Sequence, residues 1–600
     1  MIHPAISTSS PITATLSTAN ITVQHGTYKA LSYTWGGTAE PHAITVNGFA
    51  FFVTPNLREA LQHLRHDSQG LTIWIDSIRI DQVNPSERSE QVSMMNKIYS
   101  SAGCVRIWIG NASLTSERAM NLVQCCVEAI DDDDEVVRKV IDDQAGAETL
   151  TELLRRPYWT RTWIFQEIVL FKKATVHCGS KNAPWSGFQH LDRISGDPSK
   201  WPPSIIRERW ILELRRALFS ISQFCMNEAQ ARNMIDILVP TRRLKATDPR
   251  DKLFGLLGVA DFSILLTPTY FIGVRELYVQ FTRDLIRYDQ DLAILLTAGR
   301  WNPDNGEDID LPSWTPDFRG AAGLDVRYLA ASYLDCFQAT PTKILPDHLT
   351  PWLQQGNNWL LDTLIVNGII LDTVKKCIRL GKGSASRKTI MEVFQPWELN
   401  HHHTGKSYFE MFFETVIFED GTLRGGDTEE ARRTRKQSLS RLALGFLHEC
   451  REFFNGNTPE ITDNLDFLDH SGLSKSSMFG AYVDRYKHLA GADTDELHRC
   501  WQEYVIKAEG ATDCSLTSIF STKTNYLGRG LTTIEKGDVV ALLFGCKLPV
   551  VLRPREGQRP VGYQLISPCY VSGVMFGEMM SRQLSDSQDD PLADLELHLV

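Results

Sequence analysis

Between residues 29 and 110 the chain alternates short apolar β-type runs with capped amphipathic helices, and each run stops abruptly at glycine or aspartate. Residues 29–35 are β-rich and end at Gly36-Gly37, residues 71–75 end at Asp76, and residues 104–109 end at Gly110. Thr54-Pro55 opens a helix whose Leu57, Ala60, Leu61 and Leu64 fall on one stripe. Asn84, Pro85 and Glu87 supply a cap, an N1 proline and a first-turn acid for a second helix, which buries Val92, Met95, Ile98 and Tyr99. Strand, helix, strand, helix, strand with short links predicts a parallel sheet flanked by helices, because parallel neighbours need crossovers. A hairpin is inserted after the first strand: residues 44–46 and 49–53 flank Asn47-Gly48, which suits a type I′ turn.

Further along, residues 115–130 read as a helix and the acidic run 131–135 as a solvated loop, since consecutive carboxylates do not converge on one ion. A helix is expected over roughly 149–171, divided or kinked at Pro157, and a strand over 173–178. Residues 185–300 are mainly helical, with 248–258 a turn feeding a short, well-packed helix. The stretch 300–530 mixes loops and helices and carries polar insertions near 381–388 and 421–436. From Gly537 four β-runs follow, 539–544, 548–552, 562–566 and 570–576, which predict a small antiparallel unit. The expected organisation is a segment over 1–27, an α/β domain over 28–180, a mainly helical region over 181–330, a mixed helix and loop region over 331–530, and a β-rich unit with a tail over 531–600.

Composition narrows the function. With 600 residues, 42 % hydrophobic and 22 % charged, this is an ordinary globular chain with ample core. A net charge of −11 argues against nucleic acid or anionic lipid as a generic partner. No apolar run reaches the ~18–20 residues of a membrane span. The first 20 residues lack the basic and apolar parts of a secretory signal, and the twelve cysteines form no CxxC pair, so a cytoplasmic protein with reduced thiols is expected. GxSxG, HExxH and a GxGxxG after the first strand are all absent. Gly381-Lys382-Gly383-Ser384 lacks P-loop spacing and reads as a linker, and His401-His402-His403 as a surface loop, so no metal site is expected.

Two constellations remain as candidate chemistry. If 155–168 were one continuous helix, Trp159, Trp163 and Glu167 would share a row, setting a carboxylate beside indole surface where burial raises its pKa and the ring offers a stacking face. The competing reading makes both tryptophans core and pairs Glu167 with Arg161 or a lysine. The second constellation is Trp35-Gly36-Gly37, Asp76-Ser77 and Gly110, at the expected C-terminal ends of the parallel strands, where open α/β sheets bind ligands. Asp76 fits either such a site or a turn cap.

Taken together, residues 30–36, 56–61, 74–82, Glu87-Arg88, Gln91-Val92, Met95, Ile98-Tyr99, 105–110 and Arg161-x-Trp163-x-x-Gln166-Glu167 resemble, in order, the fungal heterokaryon-incompatibility (HET) domain. Looser family-like features follow at 248–258, 311–314 and from Gly537 to Glu578. Arg79 and Asp81 stand where that family usually has cysteine and asparagine. The family is similar to Toll/interleukin-1 receptor (TIR) domains, and the resemblance implies a TIR-like parallel sheet and an effector in non-self recognition and regulated cell death. Trp163 to Glu167 is similar to the Trp-x-x-x-Glu element that carries the catalytic glutamate of TIR enzymes that cleave NAD. The resemblance therefore implies Glu167 as the catalytic group. NAD would be the substrate rather than a bound cofactor, contacted by Tyr33, Trp35, Gly36, Gly37, Asp76 and Trp163. It equally admits a non-enzymatic module that self-associates through the loop 76–85, as a homo-oligomer or with a protein partner. The long remainder of the chain is expected to hold a sensor or an autoinhibitory clamp, so that a fragment ending near 180 would be the more toxic form.

Overall fold

The computed structural model describes most of residues 1–319, residues 362–379 and most of 517–600, together with 339, 340, 411, 415 and 441. Gly37, residues 81–83, the glycine-rich and histidine-rich stretches near 381 and 401, and the insertion at 421–436 lie outside the described residues. The chain divides into two compact units, residues 1–277 with 318–321, and residues 278–317 with 322–600.

The first unit begins with β1 (Thr13–Ala14), β2 (Lys29–Tyr33) and the hairpin β3 (His42–Val46) and β4 (Phe49–Val53). Asn47 and Gly48 both have positive φ, 52° and 85°, as the type I′ turn demands. In α1 (Pro55–Leu64), Thr54 caps the Leu57 amide, and the four residues of the apolar stripe are buried. Each of the three leucines contributes about 1.5–3 kcal/mol on burial. Next come β5 (Ile73–Trp74), α2 (Asp76–Arg79) and α3 (Pro85–Ser101), in which Asn84 accepts from the amides of Ser86 and Glu87. The unit continues through β6 (Cys104–Trp108), α4 (Ser116–Glu128), α5 (Asp133–Asp142), α6 (Gln144–Leu154), a 3₁₀ turn at Pro157–Thr160 and α7 (Trp163–Val169). It ends with β7 (Ala174–Cys178), β8 (Lys181–Pro184), α8 (Trp185–Gly196), α9 (Arg209–Phe219), α10 (Met234–Thr241) and α11 (Asp251–Phe254).

The main sheet has the order β5-β2-β6-β7-β8, parallel apart from the last strand, while β1, β3 and β4 form a separate three-stranded sheet. After β2 the chain steps out to β5 and then returns past β2 to β6, so its crossovers diverge between β2 and β6. Ligand crevices of open α/β sheets form at the C-terminal tips beside such a point. Leu31, Tyr33 and Trp108 point to the layer of α1 and the hairpin, where they join one apolar cluster. Ser32 points to the opposite layer, towards α7.

The helix expected over 149–171 is divided at Pro157, as expected, and the row of Trp159, Trp163 and Glu167 does not form: α6 stops at Leu154 and the 3₁₀ turn begins at Pro157. Trp159 is therefore off the α7 row and buried against Trp185 and Phe188. The acidic run is not a loop. Asp132 caps α5 and the next three acids occupy its first turn, where the helix dipole favours them.

The helix α12 (Val274–Asp289) spans the division between the units. In the second unit, β9 (Leu364–Arg379), β10 (Thr517–Thr522), β11 (Leu527–Leu531), β12 (Val539–Leu543), β13 (Val550–Arg555) and β14 (Gly562–Val571) pair antiparallel in a closed ring. A final strand, β15 (Leu595–Leu599), bridges β9 and β14. The sixteen-residue β9 corrects the reading of that region as helix and loop. Its Asn367-Gly368 and Asp372 mimic turn signals, yet a Cβ at position 368 would meet the Leu542 carbonyl at 2.5 Å, and Asp372 accepts the Thr524 amide. The two runs expected over 562–576 are one strand through Val571. Pro568 sits where β14 changes partner from β13 to β11, so its missing N–H is tolerated. No helix among the described residues is long and apolar enough to cross a membrane.

Candidate functional site

Five of the residues singled out in the sequence, Tyr33, Trp35, Gly36, Asp76 and Ser77, gather at the tips of β2 and β5. Tyr33, the last residue of β2, donates its hydroxyl to Ser77 Oγ at 2.7 Å. Two residues on, the Trp35 indole donates to Asp76 Oδ2 at 2.7 Å, while Asp76 Oδ1 accepts the Ser77 amide at 2.7 Å. Asp76 is thus at once the first-turn acid of α2, whose cap is Ile75, and the anchor of an indole. Gly36 turns the chain at φ 87°, a left-handed conformation in which a side chain would be strained.

Glu167 stands on α7 with 3 % of its surface exposed, and its carboxylate accepts from the Ser32 hydroxyl. Ser32 has one hydrogen to give, so the Tyr158 hydroxyl, 2.6 Å from Ser32 Oγ, donates into it. Burial pushes the Glu167 carboxyl up to about 7, against the pull of the Arg161 charge and the Ser32 bond. Asp76 is raised as well, by burial first, with Arg161, Trp35 and Ser77 opposing. Arg161 therefore bears on both acids, while its own hydrogen bond goes to the Tyr33 carbonyl. The alternative reading of Glu167 is half met: Arg161 is its neutralising neighbour, but its hydrogen bond is to serine.

Trp163 is not in this group. Its indole N–H donates to Asp251 Oδ2 at 3.1 Å. Asn56 joins the tips of β2 and β6, giving to the Thr34 carbonyl at 2.5 Å and accepting from the Trp108 indole at 3.0 Å. Beyond them, Arg156 ties the Ile109 carbonyl to Cys178. In the loop 76–85, Arg79 donates to the Ser17 carbonyl.

Ser32, Tyr158, Asn56 and the bridging role of Arg161 escaped the sequence reading. The one available signal was Ser32, a hydroxyl inside the apolar run Ala30-Leu31-Ser32-Tyr33 on the face opposite Tyr33. Such a buried polar group requires a partner across the layer.

Comparisons with known proteins follow this division of the chain. The family described as heterokaryon incompatibility protein (HET) matches residues 28–167, and the Het-6 beta-barrel domain matches residues 483–588. Heterokaryon incompatibility protein 6, OR allele, of Neurospora crassa is 22 % identical over an alignment of 671 residues, covering 96 % of this chain and 93 % of that protein. No solved structure matches.

Proposed function

This chain is a fungal HET-domain protein, and from that premise we propose that it acts in heterokaryon incompatibility, as a non-self recognition and cell-death effector. The finer proposal is that its TIR-like α/β unit cleaves NAD at the nicotinamide–ribose bond. The observation that carries it is the pair of desolvated carboxyls, Glu167 and Asp76, sharing one arginine at the C-terminal tips of the sheet.

Ionised Glu167 would accept hydrogen bonds from the ribose hydroxyls and stabilise the cationic sugar as the bond to nicotinamide breaks. The bonding pair leaves with the ring nitrogen, so nicotinamide departs neutral and needs no proton. Water then adds to the ribose carbon and releases a proton, giving ADP-ribose. Asp76 holds the Trp35 indole as a stacking face, and Gly36 lets the backbone approach the diphosphate. Because Glu167 is 3 % exposed, the dinucleotide reaches it only in an opened form, which ties activity to assembly or to partner binding.

The test is nicotinamide release from NAD by the purified chain across a concentration series, beside Glu167→Gln, with light scattering recording assembly. Release that needs Glu167 is the expected result. Unchanged release by the variant removes Glu167 from the chemistry. Assembly without release at any concentration leaves the self-associating module, acting through the loop 76–85.

A further inference from the structure

The motif at 248–258 has no part in the site just described, yet Asp248, Asp251, Gly255, Leu257 and Gly258 meet the helix that carries Glu167, its cap residue or the helix beside it. Asp251, 5 % exposed, receives the Trp163 indole, the Tyr270 hydroxyl at 2.6 Å and the Arg88 guanidinium at 3.1 Å. Arg88 also lies 3.6 Å over the Tyr270 ring. One turn on, the Leu257 carbonyl accepts from Gln166 Nε2 at 2.5 Å. Upstream, Lys245 exchanges backbone bonds with Thr160 and Thr162, on either side of Arg161. Lys252 Nζ, itself buried, holds the Arg242 and Leu244 carbonyls and so fixes the segment that makes that exchange. The glycines are closely packed: a Cβ at 255 would lie 2.9 Å from Thr162 Cγ2, and one at 258 would lie 2.2 Å from Asn96 Cβ of α3, so either would force a neighbour to shift.

We infer that residues 240–258 are a clasp that positions Glu167, gripping α7 through Trp163 and Gln166, four residues and one residue before the carboxylate, and presenting Arg161 through the Lys245 bridge. Trp163, Gln166 and Glu167 lie within seven helical residues, too short a helix to hold its own place. Packing must supply the order, and the polar bonds come from a segment about 85 residues downstream of it, outside the 28–167 match. Asp251 and Trp163 are positioning residues. The clasp deepens the reading of Glu167 as the reactive group, but its own claim concerns where that carboxyl is held and is tested without NAD.

Hydrogen exchange on the full chain decides it, comparing Asp251→Ala, Asp251→Asn and Trp163→Phe. In D251N the amide oxygen still accepts the indole N–H, whereas D251A and W163F each break that bond. At least tenfold faster exchange over 163–169 is expected in D251A and W163F, with β12 to β14 unchanged and D251N close to the parent. The titration midpoint of Glu167 is expected to fall in W163F, as water reaches a carboxyl that Arg161, Asp76, Tyr99 and Tyr158 now surround. That midpoint is read as the pH-dependent stability difference between each chain and the same chain carrying Glu167→Gln. Parent-like exchange at 163–169 in folded W163F overturns the clasp, and so does acceleration shared equally with β12 to β14 or an unmoved midpoint. Should D251A fail to fold, W163F, which leaves Arg88 and Tyr270 on Asp251, decides the matter alone.

Discussion

The Ser32 hydroxyl donates to the Glu167 carboxylate across 135 positions of sequence, joining the C-terminal end of the first parallel strand to the helix that closes the HET match. The bond sits in a buried layer, so a polar residue inside an apolar run becomes intelligible only from the far end of the domain. It also fixes the face of α7 that meets the sheet.

Replacing Glu167 by Gln removes a titration. As pH rises the unfolded carboxyl releases its proton first, near 4.5, while the folded one holds it to about 7. The folded state thus binds more protons over that window and loses about 3 kcal/mol of stability across it. The opening free energy of the β2 amides, taken from hydrogen exchange, should favour E167Q increasingly from pH 4.5 to 7 and then level off. A difference that stays constant from about pH 4 to about pH 8 contradicts this.

The neighbours of Glu167 should move its midpoint in opposite directions. Arg161→Gln takes away the positive charge that lowers it and should carry the midpoint above 7. Asp76→Asn removes a like charge and should bring it down. The same pH-resolved exchange measurement, with Glu167→Gln as reference, reads both.

Glycine substitutions separate backbone strain from crowding. At Gly36 a Cβ would lie 3.7 Å from Asn56 Cβ, an ordinary contact, so Gly36→Ala pays only for positive φ, about 1–2 kcal/mol. Gly258 has φ 81° as well and a Cβ would overlap Asn96, so Gly258→Ala should cost more. Asn96→Gly in the same chain should recover part of that excess. Urea midpoints of the three variants check the order.

In the barrel, Asp538, 2 % exposed, receives Arg553 through two bonds, at 2.7 and 3.1 Å. Arg553→Met leaves that buried acid with the Glu535 amide alone and should destabilise the barrel, by less than the about 3–5 kcal/mol of a fully buried broken pair because Arg553 is one-third exposed. Adding Asp538→Asn to Arg553→Met should restore much of the loss, since a neutral amide tolerates burial better than a lone carboxylate. Thermal unfolding of the single and double variants tests this.

Fragment behaviour should follow the clasp. A chain ending at 180 lacks β8 and residues 240–258, and so exposes both the sheet edge and the polar groups of α7. It is expected to be unfolded or aggregated, contrary to its expectation as the more toxic form, whereas a chain ending at 277 is expected to fold. Circular dichroism and gel filtration of the two fragments distinguish these outcomes.

Local chemistry determined much of this protein in one dimension. Asn47-Gly48 dictated its turn because both residues accept positive φ, Thr54 and Asn84 with their prolines dictated helix starts, and the apolar stripe of α1 dictated its buried face. The acid at 167 was likewise visible as a candidate. What the sequence could not decide were pairings between groups distant along the chain, whose energies depend on who shares a desolvated space. Trp163 looked like a partner of Glu167 because four residues separate them, but its N–H went to Asp251, a carboxylate buried beside it. Residues 364–379 fell in a stretch read as helix and loop, but the barrel took them as one strand, with Gly368 at the close approach of β12. Tertiary structure settled such cases because a buried donor or acceptor must be satisfied by whatever the fold brings within about 3 Å, however far off it lies in sequence.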